Sequence, residues 1–484
     1  MARWNRREFV KGLAASTTFP LFAIGGTKAS GKILGANDAI RVGVAGINGR
    51  GGSHIDEFLT LKSAGVEVTH LIDPDSSLFL SRSKRIKDAT GRDPVCVQDI
   101  RQALDEKNLD VISVATCNHW HSLITVWACQ AGKDVYVEKP ISHNVFEGRK
   151  CVEAAAKYGR VVQHGTQTRS SQSVARLISV VQSGKYGKLL VSKGYCCKPR
   201  WSIGRKPVGE PPAHLDFNLW LGPAPQQPYH PNLVHYNWHW FWDFGNGDTG
   251  NQGVHEMDVA RWAIKGATLP QRVWSLGGRF LPDGPDQGET PNMQLAVYEF
   301  GDVLLVFETR GLVKDGEKFQ NKVTNEFYTT EGVIRRDGNF YPKDGGKPER
   351  AEGGEEAKVT PGDAFGSFIA TVRSRNPRDN NCDAEVAHFS SALCHLGNIS
   401  FRLGTPARFD AANKAIGDNK QIVESFETIK ENLRAVNVSL DNADYLMGRS
   451  LALDVAAEKF VGDDQANQLL TRPYRAPFVV PNVV

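Results

Sequence analysis

The sequence predicts an α/β chain in two parts: a doubly wound, parallel-sheet domain, then an α+β domain on a mainly antiparallel sheet. Two observations carry this. From Ile40 to Gly165 short apolar β runs alternate with helical patterns, and from Arg272 to Arg336 β runs follow one another with no helix between them. Alternation implies right-handed crossovers onto a parallel sheet, whereas consecutive strands pair antiparallel. The chain has 484 residues, 40% hydrophobic and 23% charged, enough for two cores.

The elements divide the chain into residues 1–33, 38–165 and 166–484. The first stretch holds NRREFVKG, with paired Arg6 and Arg7, followed by a weakly hydrophobic run from Leu13 to Gly26. This resembles a twin-arginine export signal, and it is too short and too polar for a comfortable membrane span. It implies export by the twin-arginine machinery, which carries folded proteins, to the periplasm or outside. Five basic residues against Glu8 in the first thirty account for the whole net charge of +4, so the remainder is neutral and offers no global field for nucleic acid.

In the first domain, strands are expected at Ile40–Ile47, Val66–Ile72, Val111–Thr116, Asp134–Glu138 and Val161–Gly165. Helices are expected at Ser53–Ala64, Ser76–Thr90, His121–Ala131 and Val145–Tyr158. Past Ser170 comes a Pro- and Trp-rich segment, Lys198–Asn246, and a helix beginning near Gly250. Strands follow at Arg272–Phe280, Met293–Phe300, Val303–Arg310, Asn325–Thr330 and Val333–Arg336. Helices Asp363–Ser374 and Glu385–Leu403 close the domain, and Gly338–Pro361 reads as an exposed loop. Of the eight cysteines, Cys96, Cys117, Cys129 and Cys151 read as small core hydrophobes, no Cys/His spacing suits a metal, and His388, Cys394 and His395 suit a packed helix.

The chemistry begins at GINGRGGSH. Gly46 ends the first strand and Gly51 opens the helix, the outline of a Rossmann phosphate turn, in which glycines permit a tight bend and close approach to a pyrophosphate. The middle position is Asn48, which tolerates left-handed dihedrals, with Gly49 and Gly52 adding slack. Asp73 ends the second strand, where an acid accepts ribose hydroxyls and repels a 2′-phosphate, favouring NAD over NADP. Asp73-Pro74-Asp75 also suits a simple turn or cap.

The stretch VYVEKPISHN ends an apolar strand on Glu138, Lys139 and Pro140. An ammonium is costly to desolvate and X-Pro is the linkage where cis is cheap, so the pair reads as a positioned cation beside a tight turn. An exposed strand end with a surface lysine fits the same letters. In GDTGNQGVHEMDVARW, Asn251, His255 and Asp258 lie four and three apart and share a helical face with Trp262. The imidazole suits general-base work on an alcohol, and equally a core histidine capped by Asp258.

EKP at Glu138–Pro140, the glycine turn at 46–51 and a histidine on the first helix of the second domain together resemble the Gfo/Idh/MocA family, named for glucose-fructose oxidoreductase and inositol dehydrogenase. The resemblance covers residues 38 to about 405. It implies NAD(P) across the Rossmann sheet, an antiparallel sheet as far wall and often as oligomer interface, Lys139 against substrate and cofactor, and His255 as base. The cofactor is then expected on Gly46, Asn48, Gly49, Arg50, Gly51, Asp73, Thr116, Asn118, His121, Glu138, Lys139 and Gln167. The loop TCNHWH matches the family's nicotinamide-side loop, with Cys117 where Pro is usual. Many members carry Asp where this chain has Asn251; an amide orients an imidazole without stabilising its cation, a role left to Asp258 or Asp248.

HYNWHWFWDFGNGD places Trp238, Trp240 and Trp242 among His235, His239 and Asp243. Rings that stack on sugar faces beside polar groups suggest a carbohydrate platform at Trp238, His239 and Trp240 with Lys139 and His255; rings packed under the sheet explain the motif as well. Lys198, Arg200 and Arg205 read as solvated. Three functions remain open: an exported NAD-dependent oxidoreductase of sugars, polyols or glycosides with a retained cofactor; a redox-neutral glycosidase using NAD transiently; and an inactive sugar-binding relative. A homo-oligomer, dimer or tetramer, is expected.

Overall fold

The computed structural model describes residues 39–409 and 414–484, and the predicted export segment, residues 1–33, lies outside them. Six strands form the first sheet: β1 (Ile40–Ala45), β2 (Val66–Ile72), β3 (Val95–Val97), β4 (Val111–Val114), β5 (Asp134–Val137) and β6 (Val162–His164). Their order is 3-2-1-4-5-6, all parallel. The reversal beside β1 opens the crevice where such sheets bind ligands. The strand β3 and the helix after it escaped the sequence reading, because three residues, two of them exposed, are too few to carry an apolar period. Cys96 on β3 is exposed, against the expectation of a core position.

Helices α1 (Gly49–Thr60), α2 (Phe79–Thr90), α3 (Ile100–Leu104), α4 (Asn118–Gln130) and α5 (Val145–Tyr158) cover this sheet. Cores lie on both faces, one holding Ile112, Val114 and Leu123, the other Val42, Val44 and Phe58. α1 begins four residues before the expected Ser53, directly on the glycine turn. Gly46 has φ 79° and Gly49 φ 35°, whereas Asn48 is extended at φ −80°, so the left-handed bend falls on glycines and not on Asn48.

The second sheet begins earlier than expected. α6 (Gln172–Gln182) leads to β7 (Leu189–Cys197), and α7 (Phe217–Leu221) and α8 (Val254–Ala263) precede β8 (Arg272–Gly278), β9 (Met293–Phe300), β10 (Val303–Arg310), β11 (Lys322–Thr329) and β12 (Gly332–Arg335). The order runs β12-β11-β7-β10-β9-β8, mostly antiparallel, but β7 lies parallel to β10. β7 reads LLVSKGYCC and escaped detection because its buried Lys193 breaks the apolar pattern. Lys193 is admitted to the interior by Glu308 at 3.1 Å, itself paired with Arg310 at 2.7 Å. The expected loop Gly338–Pro361 is largely exposed but contains two short paired strands, β13 (Asn339–Pro342) and β14 (Glu349–Arg350).

α9 (Asp363–Ser374) packs Phe365 and Phe368 against the first lobe, and α10 (Ala384–Arg402) buries His388, Cys394 and His395, as its apolar period implied. α11 (Lys420–Ala435) lays Ile422, Phe426 and Ile429 on the outer face of the second sheet, against Trp274, Leu295, Val297 and Val306. The last described residues return to the first lobe, where Phe478, Val480 and Val484 enter the core around Trp120 and Leu123.

Candidate active site

A cavity of about 520 Å³ runs along the open end of the first sheet. Gly46, Asn48, Gly49, Arg50, Asp73, Thr116, Asn118, His121, Glu138, Lys139, Gln167, Trp238, His239, Asn251 and His255 all line it. Of the residues given catalytic, cofactor or substrate roles from sequence, Gly51, Trp240, Asp248 and Asp258 do not.

The glycine turn fits a dinucleotide for steric reasons. A Cβ on Gly46 would lie 2.6 Å from the Ala115 carbonyl oxygen, and one on Gly51 would lie 1.7 Å from that of Gly46, so both must be glycine for the helix to start against the strand. Gly51 is therefore an element of the turn rather than of the cavity surface. Nothing stands within 4 Å of a Cβ built on Gly49, which leaves room at the start of α1 for a phosphate to meet backbone N–H groups.

Asp73 braces this turn. Its carboxylate accepts from the Ile47 N–H at 2.8 Å and the Asp75 N–H at 2.9 Å, and burial pushes its pKa up to about 6. Each oxygen retains a lone pair for a ribose hydroxyl.

Glu138 is the centre of the polar network. It accepts from Arg50 at 2.7 Å, from buried His54 at 3.1 Å and from Gln167 at 3.2 Å. Burial alone would raise its pKa, but the His54 hydrogen bond and the Arg50 charge hold it well below the usual carboxylate range. His54 was not singled out from sequence. Its signal was a histidine facing inward on α1, one turn after Arg50.

The next peptide, Lys139–Pro140, is cis. Lys139 Nζ donates to the Asn251 carbonyl across the cleft. Burial lowers the ammonium's pKa against the pull of Glu138. His121 braces the facing loop, its ring nitrogens 2.6 Å from the Pro140 carbonyl and 3.0 Å from that of Thr116. Asn118 donates to Asn246 at 3.1 Å and so joins the lobes.

His255 begins α8 after a π-helical turn at Thr249–Gly253. Such wide turns recur at functional positions. Among the described residues no side chain hydrogen-bonds the His255 ring. Burial, then the Lys139 charge, push its pKa down to about 4 rather than the near-neutral value a general base was expected to have.

The expected orienting groups are engaged elsewhere. The Asn251 amide lies 3.5 Å from the Tyr236 hydroxyl. Asp258 forms a buried bidentate pair with Arg169, both contacts 2.8 Å, and accepts from Ser390 at 2.6 Å, which commits it to the core. Asp248 pairs with Arg200 at 2.9 Å, which also corrects the reading of Arg200 as solvated.

Trp238 stacks on His239 at 3.6 Å and both face the cavity, with burial pushing the His239 imidazole down to about 3. Trp240 is turned away beneath Arg200, its carbonyl accepting from Glu289 and Thr290, so it packs as core. The segment also brings Leu219, Trp220, His235 and Tyr236 to the cavity, and Pro74, Gln98 and Asp99 come from beyond β2 and β3. His235 and Tyr236 stood in the Trp-rich motif read from sequence; the others were given no site role there because only long-range contacts bring them to the cavity.

Residues 40–166 match the Gfo/Idh/MocA description "Oxidoreductase family, NAD-binding Rossmann fold", and residues 171–275 match its "Oxidoreductase family, C-terminal alpha/beta domain". An alpha-N-acetylgalactosaminidase of Shewanella oneidensis is 25% identical over 187 residues, 37% of this chain and 39% of that protein. A glycosyl hydrolase family 109 protein of Shewanella pealeana is also 25% identical, over 41% of this chain and 47% of its own. An inositol 2-dehydrogenase of Salmonella paratyphi B is 26% identical over 32% of this chain and 45% of its own. The chain thus spans less than half the length of these curated relatives.

In fold, it is similar to the WlbA dehydrogenase from Bordetella pertussis, solved with NADH and UDP-GlcNAcA: TM-score 0.53, 16% identity, 73% of this chain and 94% of that one. The structure of an oxidoreductase from Desulfitobacterium hafniense gives TM-score 0.54 at 13% identity over 75% and 95%. With both domains matched in order and the glycine turn, Asp73 and the Glu138–Pro140 turn meeting at one cleft, the chain belongs to the NAD-binding Gfo/Idh/MocA oxidoreductase family.

Proposed function

We propose that the protein transfers hydride between a retained NAD and a hydroxyl-bearing carbon of a sugar, polyol or glycoside. The observation that carries this is that Lys139 and His255, from opposite lobes, open onto the same cavity as the glycine turn. The glycine turn and Arg50 suit the phosphates, and Asp73 suits a ribose. NAD, when bound, supplies a hydride acceptor or donor.

The chain's own residues do the rest. Lys139 Nζ donates to the oxygen of the reacting hydroxyl and stabilises negative charge there as its proton leaves. His255 is neutral well below pH 7, so its ring nitrogen is free to take that proton. With a pKa of about 4 it is a weak base, and acidification of the hydroxyl by Lys139 offsets that weakness. Trp238 offers an apolar ring, and Tyr236 and Asn251 offer polar groups, for the remainder of a carbohydrate.

A second reading, a redox-neutral glycosidase, is favoured by the similarity to the Shewanella proteins named as an alpha-N-acetylgalactosaminidase and as glycosyl hydrolase family 109. Here oxidation of one carbon of the substrate acidifies a neighbouring C–H, the aglycone is eliminated, water adds, and the same carbon is reduced again. Release of a chromogenic aglycone without net NADH marks this reading, and stoichiometric NADH marks the first.

The proposal extends to export by the twin-arginine route to the periplasm or beyond, supported by NRREFVKG, and to a homo-oligomer. Fractionation of the producing cell and light scattering test these. The central test is a hydride-transfer screen of sugars and glycosides with wild type, His255→Ala and Lys139→Ala. Activity that survives both substitutions unchanged overturns the site assignment.

A further inference from the structure

We infer that Asp75 latches a roof over the dinucleotide, and that cofactor exchange requires this one carboxylate to release two histidines. The inference rests on the retained-cofactor reading above and names the residues that do the retaining.

The roof is the Pro- and Trp-rich segment from Lys198 to Asn246. Its inner side gives Leu219, Trp220, His235 and Tyr236 to the same cavity that the glycine turn and Asp73 line. A dinucleotide seated on the glycine turn would therefore meet these side chains.

The roof is tied to the second lobe, Arg200 to Asp248 and Asn232 to Gln287, while the stretch His214–Tyr236 is fastened to the first lobe and the chain's last residues along two edges. At the far edge, Trp120 Nε1 donates to the carbonyls of Leu219 and Trp220, both at 3.1 Å, and Arg475 Nε donates to the Gly222 carbonyl at 3.0 Å. This edge is packed: a Cβ on Gly222 would lie 2.3 Å from the Trp120 ring, and Leu221 is fully buried.

At the near edge a single side chain gathers the segment. Buried Asp75, two residues beyond Asp73, accepts from His214 Nδ1 at 2.8 Å on one oxygen and from His235 Nε2 at 2.9 Å on the other. A carboxylate has only acceptor sites, so both imidazoles donate. Backbone rungs run beside it, Asp216 N–H to the Pro74 carbonyl and Ser76 N–H to the His214 carbonyl, each 2.9 Å.

The two edges differ in solvation. The His214 and His235 side chains are 47% and 34% exposed, so water competes for Asp75 more readily than for the carbonyls held by buried Trp120. The near edge is the one that opens, pivoting on Trp120 and Gly222. Asp75 is thus a positioning residue: it acts on the cofactor through the roof.

The test uses the described protein loaded with NADH, with loss of NADH fluorescence followed after a chase with excess NAD. His214 does not line the cavity, so a change on replacing it comes through Asp75. His214→Ala is expected to speed dissociation about fivefold, and Asp75→Ala about tenfold or more, the loss of one and of several hydrogen bonds. Because Asp75 also accepts from Ser77 N–H and Oγ, Asp75→Ala alters that turn too, and His214→Ala is the decisive variant.

Combining the two should add nothing to Asp75→Ala alone, a non-additivity that general loosening does not produce. Hydrogen exchange in His214–Tyr236 should rise in both variants while β1 and β4 stay protected. Slow release from wild type with unchanged release from His214→Ala and Asp75→Ala overturns the latch alone. Immediate release from wild type overturns the latch and the retained-cofactor reading together.

Discussion

At the glycine-turn end of the cleft the backbone is tied from every side. Gly46 N–H donates to Ile72 at 2.8 Å, Ile47 N–H to Asp73 at 2.8 Å, and Arg82 Nε to the Ile47 carbonyl at 2.9 Å. At the Lys139–His255 end the ammonium is held by a backbone carbonyl on the facing lobe, and the imidazole, among the described residues, by no side chain. The first end presents a surface fixed by backbone contacts. The second presents groups whose hydrogen-bonding capacity is left for a ligand and whose protonation changes in the proposed chemistry. Rigidity is concentrated where binding needs it, and open valence where chemistry does.

This contrast can be broken from either side. The largest effect is expected at the rigid end. Gly51→Ala drives a methyl into the Gly46 carbonyl, a backbone group that cannot swing aside as a side chain can, so NAD binding should vanish in a fluorescence titration even where the chain still folds. At the open end, Lys139→Ala and His255→Ala should each lower kcat/KM by about 10²–10⁴-fold while leaving the melting temperature within a few degrees. A fall confined to stability would remove either residue from the chemistry.

Asp258→Ala should show the reverse split, because it strands Arg169 without its partner in the core. A loss of about 3–5 kcal/mol in denaturant unfolding is expected, with kcat of the folded fraction little changed. A large fall in kcat without a fall in stability would return Asp258 to the catalytic set.

Smaller still is the pH signature. The His255 pKa is lowered from the usual 6.5 to about 4, so the neutral, proton-accepting form persists as pH falls, and kcat/KM should hold level below 6.5 and drop only on approach to 4. The same depression makes the folded state refuse a proton that the unfolded chain accepts. Its stability contribution is whole above pH 6.5 and is lost as pH falls through about 4, which acid unfolding of wild type against His255→Gln would measure. The smallest effect is expected for Asn251→Ala, only a few-fold in KM. It loses one long contact to Tyr236, and its carbonyl, the Lys139 partner, is unaltered.

Most of the parallel sheet was legible in the sequence because β1, β4 and β5 are buried at nearly every residue and read as apolar runs between helical patterns, whereas the exposed β3 did not. β7 was not, since it buries Lys193 in an ion pair with Glu308 of β10, a pairing invisible until the two strands meet. The rigid end of the site was equally legible, because close backbone approach leaves a mark in glycine spacing.

Lys139 and His255 were visible through their local motifs. Their supporting groups were not: the spacing Asn251–His255–Asp258 assumes a regular helix, whereas a π turn precedes His255 and Arg169 captures Asp258 from a distant segment. Asp75 looked like a turn-capping residue and does accept from Ser77, but its two histidines lie 139 and 160 residues away. Trp240 shows the same limit in reverse, a ring of the right kind whose direction no local pattern reveals.

The placement of Phe478, Val480 and Val484 against Trp120 and Leu123 makes the first lobe's core a product of both halves of the sequence. During synthesis the strands that emerge first cannot exclude water from that side until residues more than three hundred positions later arrive. Completion of that face of the first lobe therefore waits on a long-range encounter with the end of the described chain.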